Sequence, residues 1–423
     1  MEKMEKMEKI EKIEKVEHIQ EIEITCEQLR QLEKGTYTLV DIRDESAVNY
    51  GMLPEALHIP QEQLLEENRL PKDKKIILYC TRGLFSKEKA SELREMGYQA
   101  YSLSGGYTGW LLSYTKEAAE NCVTERNGAN PEKVTRGQNE EKDTENTGVP
   151  TTADIEKSIR KKFHKQLFSR FAKAVRDYEL IQEGDKIAVC ISGGKDSMLM
   201  AKLFQELQKH RKVSFELVFL VMDPGYNEVN RQMIEYNAKR LNLPITVFES
   251  DIFDAVFDIE KSPCYLCARM RRGHLYNKAK ELGCNKIALG HHYDDVIETI
   301  LMGMLYGGQV QTMMPKLHST NFEGMELIRP MYYIREEDIK HWRDYNKLQF
   351  LQCACRFTET CTTCSADGSS DSKRMEVKHM IAEMKKTNPF VESNIFKSVE
   401  NVNLSTVIAY KKDGVKHHFL ENY

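Results

Sequence analysis

Residues 1–17 repeat Glu-Lys with an apolar residue at every third position. On a helix of 3.6 residues per turn that spacing walks round the cylinder and leaves no apolar face, so residues 1–19 are expected to form a charged, solvated arm. From Ile22 the pattern turns globular. It predicts a short strand, a helix from about Cys26 to Lys34, and an apolar strand from Tyr37 to Ile42. A second strand, Lys75 to Cys80, enters a loop and then a helix beginning near Lys87. Strand, loop and helix alternating in this way predict a parallel α/β domain over about residues 20–115.

Between about Lys116 and Pro150 large apolar residues nearly vanish while Glu, Asn, Thr and Gly accumulate. A polar stretch of that length exceeds an ordinary loop and reads as a flexible linker, 116–150. Beyond it Phe163, Leu167, Phe171 and Val175 fall at helical spacing beneath Arg160, Lys161, Lys162, Lys165, Arg170, Lys173 and Arg176, which predicts one basic amphipathic helix over 155–178. Strands at 186–191, 215–222, 245–249 and 286–290 then alternate with helices from Ser197, over 226–241, near 266–282 and from Asp294. This is a doubly wound layout, which binds ligands at the carboxyl ends of its strands. It spans 151–352. A cysteine-containing C-terminal segment, 353–423, with a helix from about Lys373 to Lys386, is expected to pack on it.

Length and composition agree with more than one core: 423 residues exceed a single hydrophobic core. No apolar run approaches the roughly 20 residues of a membrane span, and MEKMEKMEK lacks the pattern of a signal peptide, so the expected address is the cytoplasm, away from any membrane. Eleven cysteines in that compartment point to catalysis or metal binding instead of a disulfide framework. The net charge of -4 is uneven: residues 1–150 sum to about -8, which leaves about +4 for the rest, so any nucleic-acid contact belongs to the second half.

The first chemical motif is Ser192-Gly193-Gly194-Lys195-Asp196-Ser197, placed between a buried strand and a helix. Glycines let backbone amides face an anion, the helix N-terminus adds its dipole, and Ser and Lys side chains supply donors. The spacing differs from the Walker pattern. Asp223, at a strand end, and Gly290-His291-His292-Tyr293-Asp294-Asp295 close two further strands; capping accounts for one of the aspartates, and the two histidines with carboxylates are an alternative metal site. Cys264-Tyr265-Leu266-Cys267 begins a helix, where two thiolates three residues apart can chelate one centre or exchange as a redox pair. Cys80-Thr81-Arg82-Gly83-Leu84-Phe85-Ser86 follows a strand and precedes a helix, an arrangement that rings the sulfur with amides and makes it nucleophilic.

The hexapeptide resembles the SGGxDS loop of PP-loop ATP pyrophosphatases, which adenylate a carbonyl oxygen. With SPCYLCARMRRGHLY, ALGHHYDDVIETILM, GGQVQTMMPKL and LIRPMYYIREEDI in this order, about residues 155–405 resemble the tRNA 2-thiocytidine synthetase family. That likeness implies ATP on Ser192, Gly193, Gly194, Lys195, Asp196, Ser197, Asp223, Gly290, His291, Asp294 and Asp295, with Asp196 also catalytic and Mg²⁺ recruited by phosphates and carboxylates. It further implies a [4Fe-4S] cluster on Cys264, Cys267 and a distal cysteine. Alignment favours Cys353, Cys355 competes, and Cys361-x-x-Cys364 is open to a second metal site or a disulfide relay. Cys80, Asp41-Ile42-Arg43, Ala56-Leu57-His58-Ile59-Pro60 and Gly105-Gly106-Tyr107-Thr108-Gly109-Trp110 resemble one rhodanese domain, whose loop cysteine carries a persulfide. Phe85 stands where many rhodaneses have arginine, which favours a protein persulfide donor such as a cysteine desulfurase.

The implied fold class is α/β, a rhodanese-like parallel domain plus a doubly wound PP-loop (adenine nucleotide alpha hydrolase-like) domain. The implied function is an ATP-dependent tRNA sulfurtransferase that thiolates the C2 position of a cytidine, with tRNA phosphates on Arg160, Lys161 and Lys165. A homodimer is compatible with it. A PP-loop ligase or thiolase acting on another base or small molecule, and a non-catalytic iron-sulfur or zinc protein sensing sulfur, remain as alternatives.

Overall fold

The computed structural model describes residues 22–48, 52–65, 70–111, 113, 150–210, 212–226, 228–250, 263–350 and 373–422. The expected arm 1–19, nearly all of the linker 116–150, and Cys353, Cys355, Cys361 and Cys364 lie outside them.

The first sheet has five parallel strands, β1 (Glu23–Ile24), β2 (Tyr37–Asp41), β3 (Leu57–His58), β4 (Lys75–Tyr79) and β5 (Ala100–Leu103), in the order β1-β5-β4-β2-β3. Ile76, Ile77, Leu78 and Tyr79 of the central β4 are wholly buried, as a strand covered on both faces requires. Helix α1 (Cys26–Gln31) starts on a capping box in which Thr25 and Gln28 exchange hydrogen bonds. Helix α2 (Glu45–Val48) is a single turn, and α3 (Leu84–Glu95) begins three residues earlier than its apolar pattern suggests, directly against the Cys80 loop.

A second Thr151/Asp154 capping box opens α4 (Thr152–Arg160). The expected continuous basic helix is broken here: a π-helical turn, His164–Phe168, separates α4 from α5 (Ser169–Asp177). The apolar period holds on both sides, with Phe163, Leu167, Phe168 and Phe171 all buried, so the break re-aims the chain without interrupting the core.

The second sheet runs β10-β11-β9-β6-β7-β8. It comprises β6 (Lys186–Ile191), β7 (Glu216–Asp223), β8 (Ile245–Glu249), β9 (Lys286–Ala288), β10 (Lys316–His318) and β11 (Glu326–Ile328), parallel except for the β10/β11 pair. Its helices are α6 (Lys195–Lys209), α7 (Glu228–Arg240), α8 (Pro263–Glu281), α9 (Tyr293–Gly307) and α10 (Glu336–Tyr345). Strand β6 lies between β9 and β7, the point at which strand order reverses and a crevice opens at the carboxyl ends. Beyond it α11 (Lys373–Thr387) and α12 (Val391–Ser398) seal Val377, Ile381 and Phe396 against Val296, Ile297 and Ile300 of α9. A hairpin of β12 (Ala409–Lys412) and β13 (Val415–His418) ends the fold. Strands β1, β2, β4 and β6–β9 and most of the predicted helices fall within a few residues of their sequence-predicted positions, whereas β3 and β5 were not predicted. The β10/β11 pair, α10, α12 and the hairpin were not predicted, each being ten residues or fewer.

The sheets share a core. One buried apolar cluster runs from Leu29, Leu53, Tyr107, Trp110 and Leu111 beside the first sheet to Trp342, Leu348 and Phe350 beside the second.

Candidate functional site

The apolar run Lys186–Ile191 forms the buried β6 and delivers Ser192, Gly193 and Gly194 to the rim, where α6 begins. Gly193 has a φ of 86°. The loop is tied to itself: Ser192 N donates to Ser197 Oγ at 3.1 Å, and Ser197 Oγ donates to the Gly194 carbonyl at 3.0 Å. Gly290, after β9, packs so closely on the start of α6 that a Cβ there would lie 3.2 Å from Ser197 N and 3.3 Å from Asp196 C. A side chain at Gly290 would therefore push the loop away from the neighbouring strand end.

A cavity of about 450 Å³ opens at this point. Ser192, Asp196, Ser197, Gly290, His291 and Asp295 line it, together with three arginines, Arg271, Arg272 and Arg374. The Asp196 Oδ1 atom is buried with no hydrogen-bond partner and lies 3.9 Å from His292 Nε2. An acceptor left unsatisfied beside a loop of donors is costly unless a ligand or cation completes it.

The aspartates after β9 divide their work. Asp295 caps α9 by accepting from His292 N at 2.9 Å, and it also receives Arg374 Nη1 at 2.7 Å on the cavity wall. Asp294 turns to the far side, accepting Glu336 N at 2.7 Å and Arg335 Nη2 at 3.0 Å. Burial opposes a charge on His292, yet the surrounding Asp295, Asp196 and Asp294 outweigh it and hold its pKa above 6.5. Burial instead drives His291 down to about 4, helped by Arg329 and Arg374, so its ring is neutral near pH 7. Burial pushes the Glu298 carboxyl, one turn further along α9, up to about 7.

Two residues expected at the phosphates have other partners. Lys195 is only 3% exposed and sets its Nζ 3.2 Å from Asp196 Oδ2 and 3.4 Å from Glu336 Oε1, behind the loop. Asp223 accepts Gly225 N and Tyr226 N at 2.9 and 2.7 Å and pairs with Arg231 at 2.6 Å, which builds the turn after β7. Neither lines the cavity. Sequence reading had no role for Arg271, Arg272 or Arg374. The first pair was visible as a doublet one turn past Cys267, whereas nothing in the sequence tied Arg374 to the loop.

Cys264 and Cys267 fall in the first turn of α8, three residues apart and therefore on one helix face, and their side chains are outside the described residues. Two thiolate donors so spaced fit the chemistry of an iron-sulfur centre, while their proposed third ligand lies in 351–372, beyond what is described. Among the described residues no three His, Cys, Asp or Glu side chains are grouped to hold a metal ion.

In the first sheet Cys80 follows β4 and its sulfur accepts Gly83 N at 3.1 Å and Ser86 Oγ at 3.5 Å. Gly106 presses on this loop, where a Cβ would stand 2.4 Å from the Cys80 carbonyl oxygen and 2.6 Å from Gly83 N. Asp41 and Arg43 form a buried ion pair of 2.6 Å, with the guanidinium 3.8 Å from the centre of the Tyr107 ring. Leu84 and Phe85 stand 70% and 45% exposed at the loop mouth, beside the exposed Arg82. On the basic segment, Lys161 and Lys165 are exposed, whereas Arg160 is half-exposed and held at 3.2 Å from Glu206.

A model of the rhodanese-like domain matches residues 25–113, and a model of the PP-loop domain matches 160–355. Fold and site thus define a transferase that joins a rhodanese-like domain to a PP-loop domain. The tRNA-cytidine(32) 2-sulfurtransferase of Alkalilimnicola ehrlichii is 38% identical over 57% of this chain and 74% of its own, and that of Geotalea uraniireducens 34% identical over 58% and 94%. The chain belongs to the tRNA-cytidine(32) 2-sulfurtransferase family. Among solved structures it aligns with the U34-tRNA thiolase NcsA from Methanococcus maripaludis with its [4Fe-4S] cluster, at 20% identity and a TM-score of 0.43 over 59% of this chain and 78% of that one. Among the described residues no helix is long and apolar enough to cross a membrane.

Proposed function

We propose that the protein is an ATP-dependent tRNA sulfurtransferase that replaces the C2 oxygen of a cytidine with sulfur, and that it works in the cytoplasm. The observation that carries this reading is the single cavity in which the phosphate loop, the unsatisfied Asp196 carboxylate and three arginines converge. Loop amides with Ser192 and Ser197 hold the phosphates, and Mg²⁺ arrives with them, completed by Asp196 and Asp295. The base oxygen attacks the α-phosphorus and pyrophosphate leaves, its charge met by Arg271, Arg272 and Arg374. A sulfur nucleophile then attacks C2, and AMP departs with the oxygen. His291, neutral near pH 7 and lining the cavity, would exchange hydrogen bonds with the base without adding charge.

Sulfur enters on Cys80 as a persulfide received from a protein donor. Its outer sulfur is two electrons more oxidised than sulfide, so a thiol must take up the difference by closing a disulfide, which an external dithiol reopens. When bound to Cys264, Cys267 and a distal cysteine, a [4Fe-4S] cluster supplies an iron position open to a sulfur ligand. The sequence-derived units, 20–115 as carrier, 116–150 as tether, and 151–352 with 353–423 as the thiolating body, serve these steps, with tRNA backbone on Lys161 and Lys165.

Anaerobic reconstitution tests the reading. The wild type should gain cluster absorbance and thiolate tRNA with ATP, and Cys264→Ala should lose both while still binding ATP. Full tRNA thiolation by Cys264→Ala would refute the role given to that cysteine.

A further inference from the structure

Resting on that reading, we infer that the Tyr107–Gln349 contact is a dock that holds the Cys80 loop in register on the thiolating domain, so that sulfur is handed over from a seated carrier. Tyr107 is fastened to the loop through its backbone: its N donates to the Cys80 carbonyl at 2.9 Å, and the next residue, Thr108, donates to the Thr81 carbonyl at 3.0 Å. Its side chain reaches the other way. Tyr107 is 5% exposed and its hydroxyl donates to Gln349 Oε1 at 3.0 Å.

Each end is tied into its own domain. On the carrier side the ring lies under Arg43, itself ion-paired with Asp41, and 6.1 Å from the Trp110 ring. On the acceptor side the Gln349 backbone carbonyl accepts Asn237 Nδ2 at 2.8 Å from α7, Asn237 being fully buried, and Gln349 Nε2 reaches back to the Met52 carbonyl at 3.5 Å. Burial pushes the Tyr107 hydroxyl up to about 12, so it remains a donor at any working pH. Parting the domains would break the Tyr107–Gln349 and Gln349–Met52 hydrogen bonds and open to water part of the apolar cluster that holds Trp110, Leu111 and Phe350. The tether brings the domains together, and this contact sets which way the Cys80 loop faces.

The transfer that the dock serves is a thiol exchange. An acceptor thiolate of the second domain attacks the outer sulfur of Cys80–S–S⁻, a new S–S bond forms on the acceptor, the old one breaks, and Cys80 leaves as a thiolate. Neither an oxidant nor a reductant is consumed.

The test uses the full chain with reconstituted cluster, ATP and tRNA, and feeds sulfur by two routes: a cysteine desulfurase with cysteine, which loads Cys80, and inorganic sulfide, which bypasses it. Tyr107→Phe keeps the ring on Arg43 and removes only the hydroxyl; Gln349→Leu removes the acceptor, and Gln349→Glu retains one. Tyr107→Phe and Gln349→Leu should slow desulfurase-fed thiolation about tenfold, the factor that the loss of one hydrogen bond corresponds to. Persulfide on Cys80, read by mass spectrometry, and sulfide-fed thiolation should stay at wild-type levels, and Gln349→Glu should recover most of the rate. Equal rates by both routes, or an equal loss by both, would overturn the dock. A wild type inactive by both routes would instead overturn the sulfurtransferase reading, and the dock with it.

Discussion

At the scale of residues, the site is a set of side chains whose protonation is fixed by burial and by one another. Glu298 illustrates this. A carboxyl with an ordinary value of 4.5 that is held near 7 keeps its proton in the folded chain between those values while the unfolded chain loses it. Stability therefore falls as pH rises from 4.5 to 7, by on the order of 3 kcal/mol, and stays lowered above that window. Glu298→Gln carries no such group, so its melting temperature should lose this decline between pH 5 and 8, which thermal scans at several pH values would read. Gly290 makes a steric case: a methyl group there would press on the start of α6 at 3.2–3.3 Å, so the phosphate loop would have to give way by a few tenths of an ångström. Gly290→Ala should weaken ATP binding about tenfold, as overpacking by one carbon costs roughly 1–3 kcal/mol, with calorimetry as the check. The loop residues themselves were legible from sequence because six consecutive positions combine donors, glycines and a helix start. The partners of Lys195 and Asp223 were not, since Glu336 and Arg231 come from α10 and α7 and no local pattern announces them.

At the scale of elements, legibility followed length. Strand β6 came from sequence at its true bounds as an unbroken apolar run, helix α11 to within one residue, and the start of α6 to within two. The basic segment misled: its apolar spacing is continuous, yet the chain makes a π turn at His164–Phe168, a backbone choice that side-chain periodicity does not record. The break bears on the proposed tRNA contact. It leaves Lys161 and Lys165 exposed near the junction, while Arg160 is committed to Glu206 and Glu156. Replacing Lys161 and Lys165 by Gln should therefore reduce the slope of log affinity against log salt by about 1 for each phosphate no longer neutralised, whereas Arg160→Gln should change it less. Filter binding across a salt series would separate the two.

At the scale of the whole molecule, two mainly parallel sheets each present a loop at the carboxyl end of a buried strand, one built round a thiol and the other round two glycines and a helix start. Sequence resolved that pairing of chemistries, because each loop is a local motif between readable elements. It did not reveal that one buried cluster joins the two units, since the contact of Tyr107 with Gln349 spans 242 positions. On the proposed function, this fold activates a tRNA cytidine with ATP and puts sulfur at its C2. The most direct measurement is nucleoside mass spectrometry of unmodified tRNA incubated anaerobically with the purified, reconstituted protein, ATP, Mg²⁺ and sulfide. A 2-thiocytidine that appears only with ATP, and is lost in Ser197→Ala, is the predicted result; no thiolated nucleoside, or sulfur on a base other than cytidine, would contradict it.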